Sequence, residues 1–340
     1  MTRACAAALV VVLAAPVHAQ DAAQYLALAR EYAAGQGDHA IRMLYTWSPD
    51  AITAAAAGAA VTGSARDLVA AAMLHTDLAN TIIDTRPEAG DFHLKKARGA
   101  LTIASERVGQ RERLEPIIRR WFRFTASVYT SCGLLPQAIE QVKLGLLRFP
   151  GDPQLHVAIG VIQEVRTRTA LVVDWRRGVP FVARRQQNIE LNLAGAVKSL
   201  LEALTADSHN AEAHLHLGWV RLFLEDKRAR PELDAALADA QDNTIRYLAH
   251  LFLGGLAERQ QRLADAQREY DEARALGSGH QTPYAALSRV EMALGHHDRA
   301  RELATVAVQL HKTDDDPWMD FRIGFDRESL TWLRAEARTP

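Results

Sequence analysis

Thirteen histidines in a chain of 340 residues are the first place to look for chemistry, because imidazole is the common metal ligand and proton carrier near neutral pH. Their spacing does not support a site. His214 and His216 lie two apart, which turns them to different faces of a helix, and His296 and His297 are adjacent at a turn. No H-E-x-x-H and no C-x-x-C occurs, and Cys132 is the single cysteine outside the apolar amino-terminal stretch that holds Cys5, so a zinc site has little support. Gly277-Ser278-Gly279 is not followed by the lysine and hydroxyl of a phosphate loop, and no G-x-S-x-G elbow offers a serine nucleophile. Paired acids such as Asp271-Glu272 have the pattern of a solvated helix face. The expectation is therefore a non-enzyme with no catalytic residue, no cofactor and no metal.

Binding chemistry is better represented. Between residues 166 and 190 stand Arg166, Arg168, Arg176, Arg177, Arg184 and Arg185, with Trp175 and Phe181 among them and only Asp174 and Glu190 in opposition. Guanidinium groups take carboxylates and phosphates bidentately. A loop of this composition suits an acidic partner or an anionic polymer; equally, it could pack Trp175 on the body of the protein and leave its arginines in water.

The elements that would position such groups are helices. Hydrophobic residues make up 48% of the chain, aromatics 6% and charged residues 24%, the composition of amphipathic helices. Net charge is −1, so no global field recruits nucleic acid or an anionic membrane. Arg3, the apolar run Ala4 to Val17 and the small residues of Val17-His18-Ala19 read as an export signal cleaved after Ala19, with Cys5 wrongly placed for a lipid anchor. The expected location is periplasmic or secreted, with no membrane span in the mature chain. With a single cysteine left after cleavage, no internal disulfide can form.

Apolar residues recur at helical spacing at Ala22 to Ala34, Pro49 to Ala60, Ala65 to Ile83 and Asp91 to Val108, with Ser48-Pro49-Asp50 and Ser64 as helix starts. From Arg119 onward a longer period emerges. Gly254, Ala266, Tyr270 and Ala273 fall at offsets 0, 12, 16 and 19, and 34 residues later Ser288, Ala300, Ala304 and Ala307 take the same places. Ala126, Ala138, Val142, Gly145 and Pro150 reproduce the pattern upstream. Small residues on two antiparallel helices let their backbones approach, and a bulky residue one turn later fills the gap. The unit opening at Pro153 receives an insertion at about 166–190, and its second helix resumes near Leu191. The unit from Ala211 has its second helix, Pro231 to Asp239, displaced by about two residues.

These residues resemble the tetratricopeptide repeat. The resemblance covers about Arg119 to Leu310 and implies an all-α fold, a right-handed α-solenoid of helical hairpins. The organisation expected is a signal at 1–19, degenerate helical hairpins at 20–118 (a separate helical domain being the alternative), repeats at 119–312 and a C-terminal capping segment at 313–340. In that family the first helices line a groove, which places Arg120, Arg123 and Ser127, then Gln154 and Glu164, then Glu212, Trp219 and Phe223, then Arg259 and Arg289 on the ligand-facing side. The implied function is a scaffold that binds another envelope protein or a peptide. Two alternatives stand beside it: an envelope enzyme or ligand-binding protein with its site between the N-terminal helices and the repeats, and an anionic-polymer binder using the arginine insertion. The sequence leaves the oligomeric state open.

Overall fold

The computed structural model describes residues 21–176, 183–310, 316–318 and 331–338; the expected signal at 1–19 lies outside them. All regular structure among the described residues is helical, and no helix there is long and apolar enough to cross a membrane. The chain forms two compact units. One comprises residues 1–125 with 328–340, the other residues 126–327.

The first unit contains α1 (21–33), α2 (Gly37–Tyr45), α3 (Pro49–Thr62), α4 (Ala65–Ile82), α5 (Pro87–Glu106) and most of α6 (Arg111–Ser131). The helix starts read from the sequence are present: Ser48 accepts from the Ala51 N–H, with Pro49 at the first helical position, and Ser64 and Asp67 form a reciprocal capping box. The spacing did not reveal α2, a helix that buries only Ala40 and Leu44. The unit gathers round α4, which is buried almost without interruption from Asp67 to Ala79. Within the C-terminal segment 313–340, Thr331–Arg338 forms a helix (α16) that belongs to this same unit and packs on α4. Leu333 is fully buried, Arg113 pairs with Glu336, and Arg338 Nε donates to the Ala33 carbonyl at 2.7 Å.

A polar chain crosses the interior of this unit. His75 Nε2 lies 2.8 Å from Tyr25 Oη, and His75 Nδ1 lies 2.8 Å from His93 Nδ1. Two arrangements satisfy both contacts with neutral rings: Tyr25 donates to His75 Nε2 while His75 Nδ1–H donates to His93, or His93 Nδ1–H donates to His75 Nδ1 while His75 Nε2–H donates to Tyr25. Burial pushes the His75 imidazole well below its usual range and His93 down to about 4, and raises the Tyr25 phenol.

The second unit holds α7 (Leu135–Arg148), α8 (Pro153–Arg176), α9 (Ala183–Ala206), α10 (Ala211–Phe223), α11 (Ala229–Asp239), α12 (Asn243–Arg259), α13 (Leu263–Leu276), α14 (Gln281–Ala293) and α15 (His297–Gln309). From α7 on, each helix packs on the next in order, and α8/α9, α10/α11, α12/α13 and α14/α15 are the tightest pairs. That is the nearest-neighbour arrangement of an α-solenoid built from tetratricopeptide-like hairpins.

The close crossing sits where the spacing placed it. A methyl on Gly254 would collide with the Tyr270 ring, and Ala266 and Ala273 are fully buried on the facing helix. In α10/α11 the equivalent contact is Gly218 against Leu233, whose Cδ2 lies 2.6 Å from where a Cβ on Gly218 would stand. Leu233 is 15 residues after Gly218 rather than 16, so α11 is shifted by one residue, not two. It also starts at Ala229, which makes Pro231 its third residue. The lost N–H is harmless there because the first turn has no internal acceptor for it.

The expected insertion is corrected as well. Helices α8 and α9 are each 24 residues long, against 13 and 11 in the next pair, so the extra sequence lengthens both arms of one hairpin. No glycine or proline interrupts Arg166 to Arg176, and the helix continues through it. Hairpin turns reuse one device: Gly133, Glu225, Gln261 and Gly295 all have positive φ, 58° at Gln261, and the Arg262 N–H closes back on the Ala257 carbonyl at 2.9 Å.

Two outcomes follow. Ala266→Leu should lower stability by about 1–3 kcal/mol through overpacking, and Gln261→Gly should raise it by roughly 0.5–1 kcal/mol by relieving a left-handed side chain, with exposed Glu272→Ala near neutral; denaturant melts of the three variants check the register. In acid, His93 is neutral in the fold but free to protonate in the unfolded chain below about 6.5. Its contribution to stability is complete above that pH and drains away as pH falls toward about 4, by on the order of 3 kcal/mol. His93→Gln should flatten the pH dependence of unfolding in that window.

Candidate functional site

Helices α10, α12 and α14, the first helices of three successive hairpins, line a cleft of about 420 Å³. Helix α10 supplies Trp219 and Leu222. Helix α12 supplies Leu251, Phe252, Gly255 and Arg259, while α14 supplies Thr282, Ala285, Ala286 and Arg289. Trp219 and Phe252 stack at 5.2 Å between centroids and 30° between planes. Trp318, beyond the last hairpin, meets both edge-on, at 6.2 Å from Trp219 and 5.8 Å from Phe252.

The space exists because of what α12 omits. Gly255 faces the cleft, and a Cβ there would meet nothing nearer than Tyr270 Oη at 3.7 Å. Its neighbour Gly254 faces the partner helix and has no such room. One glycine of the pair makes the hairpin and the other opens the groove.

The charged groups of the cleft are fixed in different ways. Arg289 grips Glu258 with two bonds, Nε to Oε1 at 2.6 Å and Nη2 to Oε2 at 2.8 Å, and Tyr270 donates to the same carboxylate at 2.9 Å. Arg289 thereby holds the Glu258 carboxyl below its usual range, while burial and then Glu258 itself raise the Tyr270 phenol. Near neutral pH neither proton moves. Arg259 is exposed; its Nη1 donates to the Leu222 carbonyl at 3.0 Å, and it meets no carboxylate among the described residues. It also belongs to an adjoining cleft of about 420 Å³ that carries Lys227 and Arg230 beside Glu225 and Asp226.

Of the groove residues named from the sequence, Trp219, Arg259 and Arg289 come together here, and Phe223 stands beside them with its ring 6.3 Å from Trp219 and its surface 38% exposed. Arg289 lines the cleft with its guanidinium paired to Glu258. Glu164 does not face a ligand: it is 1% exposed and its carboxylate lies 3.1 Å from His216 Nδ1, because one helix further into the stack its position meets α10 rather than solvent. Ser127 is likewise buried. Arg120 and Arg123 belong to the first unit, where Arg120 lies over the Trp332 ring at 5.0 Å, covered by α16. In the arginine cluster, Arg166 is an exposed residue of α8. Arg168, Trp175, Arg176, Arg184 and Arg185 lie on α8 and α9 with side chains outside the described residues, as are Arg177 and Phe181 altogether.

Sequence reasoning missed Phe252, Gly255 and Trp318. Phe252 was within reach, since it stands 34 residues before Ala286 on the same face; Trp318 lies past the last repeat, where no periodicity points.

No protein-family model matches the sequence, and neither does any curated protein. Among solved structures the chain is similar to MamA, at 19% identity over 54% of this chain and 92% of that one with a TM-score of 0.40. It is also similar to YrrB, described as a TPR protein with an unusual peptide-binding site, at 16% identity, 58% and 89% coverage and a TM-score of 0.39. A monomeric mutant of IFIT1 with Gppp-AAAA matches over 81% of this chain and 67% of its own, at 15% identity and a TM-score of 0.45. The class of protein, an all-α array of tetratricopeptide-like hairpins, rests on the geometry above.

If Gly255 only leaves room, Gly255→Leu should fold with a melting temperature close to that of the parent, whereas Gly254→Leu should melt well below it. Equal losses in thermal melts would contradict the assignment of the two glycines.

Proposed function

We propose that this protein is an exported interaction scaffold that holds an extended segment of a partner protein in the groove formed by α10, α12 and α14. The observation that supports this most is the cleft itself, where Trp219, Phe252 and Trp318 surround a space of about 420 Å³ with the guanidinium of Arg259 at its rim. Aromatic rings and arginine are the side chains that most often carry binding energy at protein interfaces. Successive first helices offer one set of side chains per repeat, a geometry suited to an extended chain.

Binding fits the groove better than catalysis does. A general acid or base works best with a pKa near the operating pH, and here Glu258 is held ionised and Tyr270 protonated. The proposed location is the cell envelope, on the strength of Arg3, the apolar run and the small residues before Gln20. Protein recovered from envelope fractions should begin at Gln20; an intact Met1 terminus would overturn that part.

The binding itself is tested by selecting a library of random dodecapeptides on purified protein. Enriched peptides should bind the parent and lose about tenfold or more in affinity to Gly255→Leu, whose added side chain fills the groove. Peptides that bind both proteins equally would show that the groove is not the site.

A further inference from the structure

Residues 316–318 lie beyond the last hairpin, which ends at Gln309, yet they are held in the groove by a specific set of contacts. Asp316 is 4% exposed. Its Oδ1 accepts from Tyr247 Oη at 2.9 Å, and its Oδ2 accepts from Thr282 Oγ1 at 2.6 Å and from the Thr282 N–H at 3.3 Å. A carboxylate is costly to bury unless it is hydrogen-bonded, and these donors satisfy it. Thr282 is the second residue of α14, and Tyr247 the fifth of α12. The cap residue of α14, His280, makes no side-chain capping bond, so the positive end of that helix is served by Asp316 instead. Burial, and then the carboxylate, push the Tyr247 phenol up, which keeps it a donor.

The same carboxylate sets the position of the ring that follows. The Trp318 N–H donates to Asp316 Oδ1 at 3.0 Å, closing a turn across Pro317, whose ring restricts the backbone. Trp318 then stands edge-on to both Trp219 and Phe252. Two separate receptors are therefore occupied by one three-residue segment: a carboxylate pocket at the ends of α12 and α14, and an aromatic wall on α10 and α12. Beside Trp318 the cleft remains open, with Arg259 exposed at its edge.

We infer that Asp316-Pro317-Trp318 is a resident ligand of the groove, and that the partner displaces it with a segment of the same chemistry, a carboxylate followed two residues later by a large aromatic ring. This rests on the reading of the groove as a peptide site. A tethered segment competes at high effective concentration, so the partner must add contacts that the resident segment lacks. The open part of the cleft and Arg259 supply them, and a second acidic residue in the partner would meet that arginine.

The test uses a fluorescein-labelled peptide with the sequence of residues 313–320 and the full-length protein, read by fluorescence polarisation. Asp316→Asn with Trp318→Ala weakens the resident copy, and this double variant should bind the probe about tenfold more tightly than the parent does. Asp316→Asn alone, which keeps the ring and its packing, should give an intermediate gain and serves if the double variant melts early. Probes in which the aspartate matching Asp316 is asparagine, or the tryptophan is alanine, should bind neither protein well. The inference is overturned if both variants bind the probe no better than the parent, or if the altered probes bind as well as the original. Should library peptides respond to Gly255→Leu while this probe binds nothing, the groove reading stands and the resident-ligand inference falls. Library peptides indifferent to Gly255→Leu remove the groove reading itself.

Discussion

The Tyr270 ring fills the space that a side chain on Gly254 would take, and this approach of α12 to α13 governs most of what the second unit offers. With the ring seated there, its hydroxyl reaches Glu258 at 2.9 Å, and Glu258 in turn holds both donors of Arg289 on the neighbouring hairpin. Packing inside one hairpin is thereby linked to the spacing between hairpins, and that spacing sets the width of the groove. The repeat needs a small residue at this point because a side chain on residue 254 would take the place of the Tyr270 ring and push the two helices apart.

How much of this was legible follows from the same physics. Gly254, Ala266, Tyr270 and Ala273 were readable because close crossing restricts residue size at fixed offsets, and a period of 34 repeats the restriction. Helix starts at Ser48 and Ser64 were readable because capping is local. The shift of α11 by one residue was less so, since Leu233 fills the gap from a neighbouring register when Gly218 permits it. The long α8/α9 hairpin read as an inserted loop because arginines and interleaved aromatics suggest an exposed segment, whereas the run Arg166 to Arg176, without glycine or proline, extends a helix equally well.

The groove was half legible. Trp219, Arg259 and Arg289 follow from repeat position alone. What position cannot reveal is pairing across repeats: Glu164 meets His216 and Arg289 meets Glu258 because the intervening helices bring them together. Asp316 and Trp318 are invisible to any periodic argument: the partners of Asp316, Tyr247 and Thr282, lie 69 and 34 residues away in sequence, and Trp318 meets Trp219 and Phe252 on two other stretches of helix. The first unit shows the same limit. The chain from Tyr25 through His75 to His93 joins three helices, and histidine spacing along one helix gives no sign of it.

The central claim is that the space left by Gly255 is where a partner binds. A photo-crosslinking aromatic amino acid in place of Phe223, which stands exposed beside the groove and leaves the space at Gly255 open, tests it most directly in the protein's own cells, with adducts mapped by mass spectrometry. The account predicts adducts on one defined segment of a partner, a segment with a carboxylate two residues before an aromatic ring, and none of these when the crosslinker is moved to exposed position 272. Adducts that are equally abundant from both positions, or scattered over unrelated sequences, would contradict it.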